Sequence, residues 1–143
     1  NLLASFTALL VVMIATRAEL HWKVVFAVIP LGFIVVFSLG VGLLLSALVV
    51  KFRDIMHLYS VFITALLYLT PVIYPMSSLP YWMQKVVGLN PITNILMMFR
   101  DVMLYDNFPN LSSILIATIE SLAALGIGVY VFYKKQDEFI LNI

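Results

Sequence analysis

TPVIYPMSSLPYWMQKVVGLNP, residues 70–91, sets four prolines into a chain that otherwise reads as soluble in lipid. Proline removes a backbone donor and ends or kinks a helix, so this stretch cannot continue the apolar helices around it. Ser78 is placed to cap a helix with Pro80 in its first turn and Gly88 at its end; Asn90 is placed to cap a second with Pro91 at its first position. The expected helices, 79–87 and 91–104, are about 14 and 21 Å long, too short to cross about 30 Å of hydrocarbon. They must dip in and return, or lie at the interface. Non-helical backbone at membrane depth survives only where protein buries it or a water-filled cavity meets it, so the prolines mark a pathway or its lid.

Composition supports a membrane setting. Apolar residues are 64% of the 143 and charged residues 10%, against about 45–50% and about 25% in ordinary soluble domains. A formal charge of +1 supplies no basic patch for phosphates and excludes a nucleic-acid partner. Without cysteine there are no disulfides or thiolate metal sites. His21 and His57 fall in polar breaks on opposite sides of the expected bilayer and cannot share a metal.

Working outward, four apolar runs read as membrane helices: 2–16, 24–50, 58–73 and 111–133. The second is 27 residues long without a charge, about 40 Å of helix, so it must tilt or bend, with Pro30 and Gly32 at the bend. The third is short and ends at its prolines. The fold class is an all-α membrane protein: a multi-span bundle of about four transmembrane helices with two short re-entrant or interfacial helices before the last span. The chain enters an apolar run at Asn1 with no basic region before it, unlike a signal peptide, and reads as the C-terminal part of a longer multi-span protein. In helix 91–104, Ile92, Ile95, Leu96, Phe99, Val102 and Met103 form an apolar stripe, with Thr93, Asn94, Arg100 and Asp101 off it.

Lys and Arg divide equally between the two sides, but those of the 51–57 break and of the tail KKQDEFILNI are concentrated in short loops, which makes these cytoplasmic. Trp22 and Trp82 then share the outer interface. Spans associate in lipid through small residues; Ser38, Gly42 and Ser46 make such a stripe on the second span, and Ala117, Ser121, Ala124 and Gly128 on the last.

Glu120 is the ionisable residue deepest in a span, where a charge costs several kcal/mol unless neutralised or paired. It reads either as a functional position on the substrate path or as a protonated carboxyl bonded to a neighbouring helix. Arg53 and Asp54 start the third span at its cytoplasmic end. They act in coupling or gating, or Arg53 snorkels to headgroups while Asp54 caps the helix. Tyr81 and Trp82 suit an interfacial belt, whereas Tyr68, deeper and close to Pro71, suits a pore. Asn110-Leu111-Ser112 matches a glycosylation sequon by chance, since it abuts the membrane. No P-loop, nucleophile triad or HExxH pattern is present, so the chain reads as a non-enzyme.

GVGLLLSALVVKFRDI (41–55), LTPVIYP (69–75), LNP (89–91) and FRDVML (99–104), in this order and spacing, resemble the permease subunits of type 2 ABC exporters, particularly those that export polysaccharide, O-antigen and teichoic acid. The resemblance covers nearly the whole chain. It implies a six-span subunit of which these are the last four spans, in the plasma membrane of a bacterium or archaeon. It also implies a second permease copy, an ATP-binding cassette subunit that carries the ATP and magnesium, and a lipid-linked glycan substrate. By resemblance, Pro71, Tyr74, Pro75 and Pro91 frame an outer gate that includes Arg100, and Arg53 and Asp54 lie at the cytoplasmic mouth. A permease for drugs or small lipids in the same superfamily, and a channel or scaffold not driven by ATP, are the other readings.

Overall fold

The computed structural model describes residues 2–15, 22–51, 54–105 and 107–141. Every regular element among them is helical: α1 (Leu2–Ala15), a 3-10 turn (Trp22–Ala27) running straight into α2 (Val28–Lys51), α3 (Ile55–Leu69), a 3-10 turn (Met76–Ser78), α4 (Tyr81–Gly88), α5 (Pro91–Leu104) and α6 (Leu111–Leu141).

Two stretches of 26 residues, Val24–Val49 and Leu111–Gln136, are long and apolar enough to cross a membrane, each about 39 Å long. Within each, 17% of the most apolar window is buried by the chain itself, so most of this apolar surface must be covered by lipid or by other protein. The other two expected spans form shorter helices. α1 has 14 residues and α3 has 15, about 21 and 22 Å. α3 stops at Leu69 because the residue before Pro71 is pushed out of the helical region: Thr70 is extended at φ −97° and ψ 128°. α6 carries on past Tyr133 through the charged tail to Leu141, whose Lys, Gln and Glu residues are good helix formers.

Pro30 and Gly32, the expected site of a bend, lie within the continuous helix α2, and a change in winding comes just before it. Pro30 has no N–H to give the carbonyl of Phe26 and its ring crowds that group. The tighter 3-10 turn Trp22–Ala27 lies immediately before α2, and Pro30 itself is fully buried.

The bundle is organised by a close, parallel pair, α2 and α6. A Cβ on Gly40 would overlap the backbone of Ala124 and Leu125, and one on Gly128 would overlap the backbone of Gly40. Ser121 Oγ donates to the Phe33 carbonyl at 3.2 Å across a separation of 88 residues, the same offset that joins Gly40 to Gly128. A constant offset means both helices run the same way. The expected stripe on α6 forms this seam: Ala117 and Ser121 are buried. On α2 the seam uses Phe33, Gly40 and the buried Ala47, rotated away from the expected Ser38, Gly42 and Ser46. Those three border a loose groove toward α3, with cavities of about 340 and 420 Å³. Around that groove Val49 lies near Ile55 and Phe37 near Leu66, so α2 and α3 are antiparallel.

α5 packs against the first half of α2. Ile92, at its start, shares a groove with Phe37, while Val102 and Met103, near its end, join a core with Ala27 and Met13. Phe37 is ten residues, about 15 Å, further along the helix than Ala27. α5 therefore returns the chain toward the end of the bundle from which α2 and α6 both start. Its buried residues are Thr93, Ile95, Met98, Val102 and Met103. The expected stripe included neither Thr93 nor Met98; hemmed between α2 and α6, the helix turns Met98 onto Ala117 while Ile92, Leu96 and Phe99 border grooves.

Candidate functional site

The proline-rich stretch builds a compact polar junction where α3, the connection to α4, and α5 meet. After Thr70 the chain turns sharply, Val72 N donating to the Thr70 carbonyl at 2.7 Å; Pro71 is fully buried. Tyr74 Oη donates back to the Tyr68 carbonyl at 2.7 Å and so ties the connection to the last turn of α3. Pro75 is exposed, and its carbonyl accepts from both Ser78 N at 3.1 Å and Ser78 Oγ at 2.6 Å. Ser78 therefore serves the 3-10 turn and does not cap α4 as expected. Pro80 occupies that cap position, and its carbonyl accepts from Met83 N and Gln84 N. The helix starts at Tyr81 and ends at Gly88, one to two residues later than expected.

α5 spans the expected residues, Pro91–Leu104, and Asn90 caps it as its chemistry predicts: Oδ1 accepts from Ile92 N at 3.1 Å. The other end of the same side chain does more. Asn90 Nδ2 donates to Thr70 Oγ1 at 2.9 Å, a bond between two buried side chains, Thr70 at 3% and Asn90 at 7% exposure. Ten residues further along α5, Arg100 Nη2 donates to the Val72 carbonyl at 2.7 Å. The two ends of α5 are thus fastened to neighbouring residues of one turn, with Pro71 between them. Pro91, at the first helical position, is half-buried.

A third polar link joins α5 to the spanning helix α6. Asn94 Nδ2 lies 3.5 Å from Glu120 Oε2 and 3.4 Å from the Ser113 carbonyl. Glu120, half-buried, is thereby partnered by an amide on a neighbouring helix. Thr93 Oγ1, next to Asn94, is buried with no hydrogen-bond partner among the described residues, and such an unmade bond costs about 1–3 kcal/mol. The Asn90–Thr70 and Asn94–Glu120 pairings escape a reading of hydropathy alone. Their signal is that Asn90, Thr93 and Asn94 sit three and four apart, on one helix face, in an apolar chain whose last span carries a lone carboxyl.

The remaining candidates lie apart from this junction. Tyr68 is 71% exposed. Tyr81 and Trp82 are also exposed, with Lys85 Nζ 4.7 Å from the Tyr81 ring centroid. Asp54 is exposed at the start of α3; its carbonyl accepts from His57 N and Leu58 N, but its side chain makes no cap bond. Arg53 lies outside the described residues. Asn110 of the chance sequon has a structural use, as Oδ1 accepts from Ser112 N at 3.3 Å where α6 begins. Among the described residues no three His, Asp or Glu side chains converge to hold a metal. The junction holds amides, hydroxyls, a carboxyl and a guanidinium, which suit fastening and release of helices.

The profile of the ABC-2 type transporter family matches residues 1–104. The O-antigen export system permease protein RfbA of Myxococcus xanthus is 24% identical over 145 residues, covering 100% of this chain and 56% of that protein. A protein of the same description from Klebsiella pneumoniae is 25% identical over 123 residues, covering 86% of this chain and 47% of that protein. The chain spans about half the length of the curated relatives it matches.

Proposed function

Because this chain belongs to the ABC-2 type transporter family, we propose that it is part of the channel-forming permease subunit of an ATP-driven exporter of lipid-linked polysaccharide, of the O-antigen kind that its relatives' names state. It is an integral membrane protein and a transport subunit; ATP and magnesium are bound by a separate cassette subunit, and a second permease copy completes the channel in the plasma membrane. The observation that carries the reading is the α4–α5 pair, too short to span and folded back beside two parallel helices that are long enough to do so. In this reading α4 and α5 are the outer gate, hinged where Pro71, Tyr74, Pro75 and Pro91 interrupt the helices and latched by Arg100 on the Val72 carbonyl. Arg53 and Asp54 stand at the cytoplasmic mouth. Tyr68 and Glu120 face or border the substrate path, Glu120 as the α6 anchor of α5. Closure of the ATP-binding subunits favours a second arrangement of the permeases in which α5 leaves its latches and the gate parts.

Co-purification of the full-length tagged subunit in mild detergent tests this. A P-loop ATPase recovered in a one-to-one ratio, together with glycan retained on the cytoplasmic side after depletion of the subunit, is the expected result. A subunit that purifies alone refutes the ATP-driven mechanism, and an ATPase partner without glycan retention points to a drug or small-lipid substrate.

A further inference from the structure

α1, α5 and Val72 of the α3–α4 connection enclose a cavity of about 540 Å³, within the roughly 300–1,000 Å³ typical of ligand sites. Ala8, Val12 and Met13 form one wall, Leu96 and Phe99 another, and among the described residues Arg100 supplies the lone charge on the lining. Val12, Val72 and Leu104 on its rim are exposed, so the cavity opens sideways to the surroundings of the bundle. An apolar cavity open to the side of a membrane protein is reached by lipid chains before any aqueous solute. Arg100 uses one N–H of its five on the Val72 carbonyl, and among the described residues no carboxylate lines the cavity to neutralise it. A guanidinium so placed matches a phosphate, which it can meet with two parallel hydrogen bonds.

We propose that this cavity binds one acyl chain of an anionic phospholipid, with its phosphate held by Arg100. The site follows from the membrane setting and the cavity, and needs neither the ATPase nor the exported glycan. A lipid held there packs against α5 while its headgroup engages the side chain that latches α5 to Val72, so bilayer composition bears on how firmly α5 is fastened.

The test is native mass spectrometry of the full-length subunit exchanged into equal amounts of phosphatidylglycerol and phosphatidylcholine with identical chains. One phosphatidylglycerol per subunit should survive detergent removal in preference to phosphatidylcholine. Arg100→Gln should lower that preference by about fivefold, the size of one basic side chain's attraction to an anionic lipid surface. Ala8→Trp, which fills the cavity, should abolish retention of both lipids. An unchanged preference in Arg100→Gln overturns the proposal, whether or not Ala8→Trp folds, as does full retention in a folded Ala8→Trp. Preferential retention of a polyprenyl phosphate added as competitor also overturns it. The wild-type lipid count is independent of co-purification of an ATPase, so loss of the export reading leaves it standing.

Discussion

Replacing Gly128 by alanine puts a methyl group where the Gly40 backbone already lies, at the narrowest point between α2 and α6. Two effects of opposite sign compete. Alanine is better than glycine in a helix interior by about 1 kcal/mol, which favours the variant. The overlap is with backbone, which cannot rotate aside, and overpacking of this kind costs about 1–3 kcal/mol; forcing the helices apart also forfeits the dispersion contacts along a seam that lipid does not otherwise drive together. The overlap should win by about 1 kcal/mol. Gly126→Ala and Gly42→Ala isolate the propensity term, since nothing lies within 4 Å of a Cβ at either position. In melting of the full-length protein in detergent, Gly128→Ala should lower the midpoint by about 2–4 °C per kcal/mol, while the two controls hold or raise it. The Gly40→Ala, Gly128→Ala double variant should lose less than the sum of the singles, because both act across one contact. If Gly128→Ala melts with or above Gly126→Ala, the close parallel seam is not what holds the pair.

Asn90→Ala removes a helix cap and a buried bond to Thr70 together and should cost about 2 kcal/mol or more; Asn90→Asp keeps the acceptor for Ile92 N but not the donor for Thr70, so its melting midpoint should fall between those of Asn90→Ala and wild type. Glu120→Gln retains a partner for Asn94 and should melt near wild type, whereas Glu120→Leu removes one of the two acceptors of Asn94 Nδ2, leaving the Ser113 carbonyl, and should lower the midpoint by an amount that a second substitution, Asn94→Leu, partly restores. Asp101, on α5 outside the two long spans, has its carboxyl pushed above its ordinary value of 3.8 by burial. The folded state therefore holds that proton more tightly than the unfolded one, and this group's contribution to stability is fully present below pH 3.8 and is lost as pH rises through the raised value. Asp101→Asn should accordingly melt higher than wild type at neutral pH, with the advantage vanishing toward pH 4; a difference that ignores pH refutes the burial account.

The start of α5 and the break that ends α3 were legible in the residues themselves, because the groups that decide them are local, whereas the start of α4 and the far end of α6 were not. Asn90 and Pro91 announce α5 by cap chemistry and a missing donor, and Pro71 ends α3 through the conformation it imposes on Thr70. The membrane class followed from composition, and the α6 stripe Ala117, Ser121, Ala124, Gly128 from its spacing. Tertiary structure decided which face of α2 meets it. α2 is apolar on every side, and in lipid no face gains by burial, so hydropathy carries no information about rotation; the stripe Ser38, Gly42, Ser46 offered one seam, and the close backbone approach at Gly40 lies on another face. Nor does spacing pair Asn90 with Thr70, Asn94 with Glu120 or Arg100 with the Val72 carbonyl, since those bonds close loops of 20, 26 and 28 residues. They exist because the connection after Pro71 and the antiparallel course of α5 bring these donors to acceptors distant in sequence, and of the three only the Asn90–Thr70 bond is fully buried.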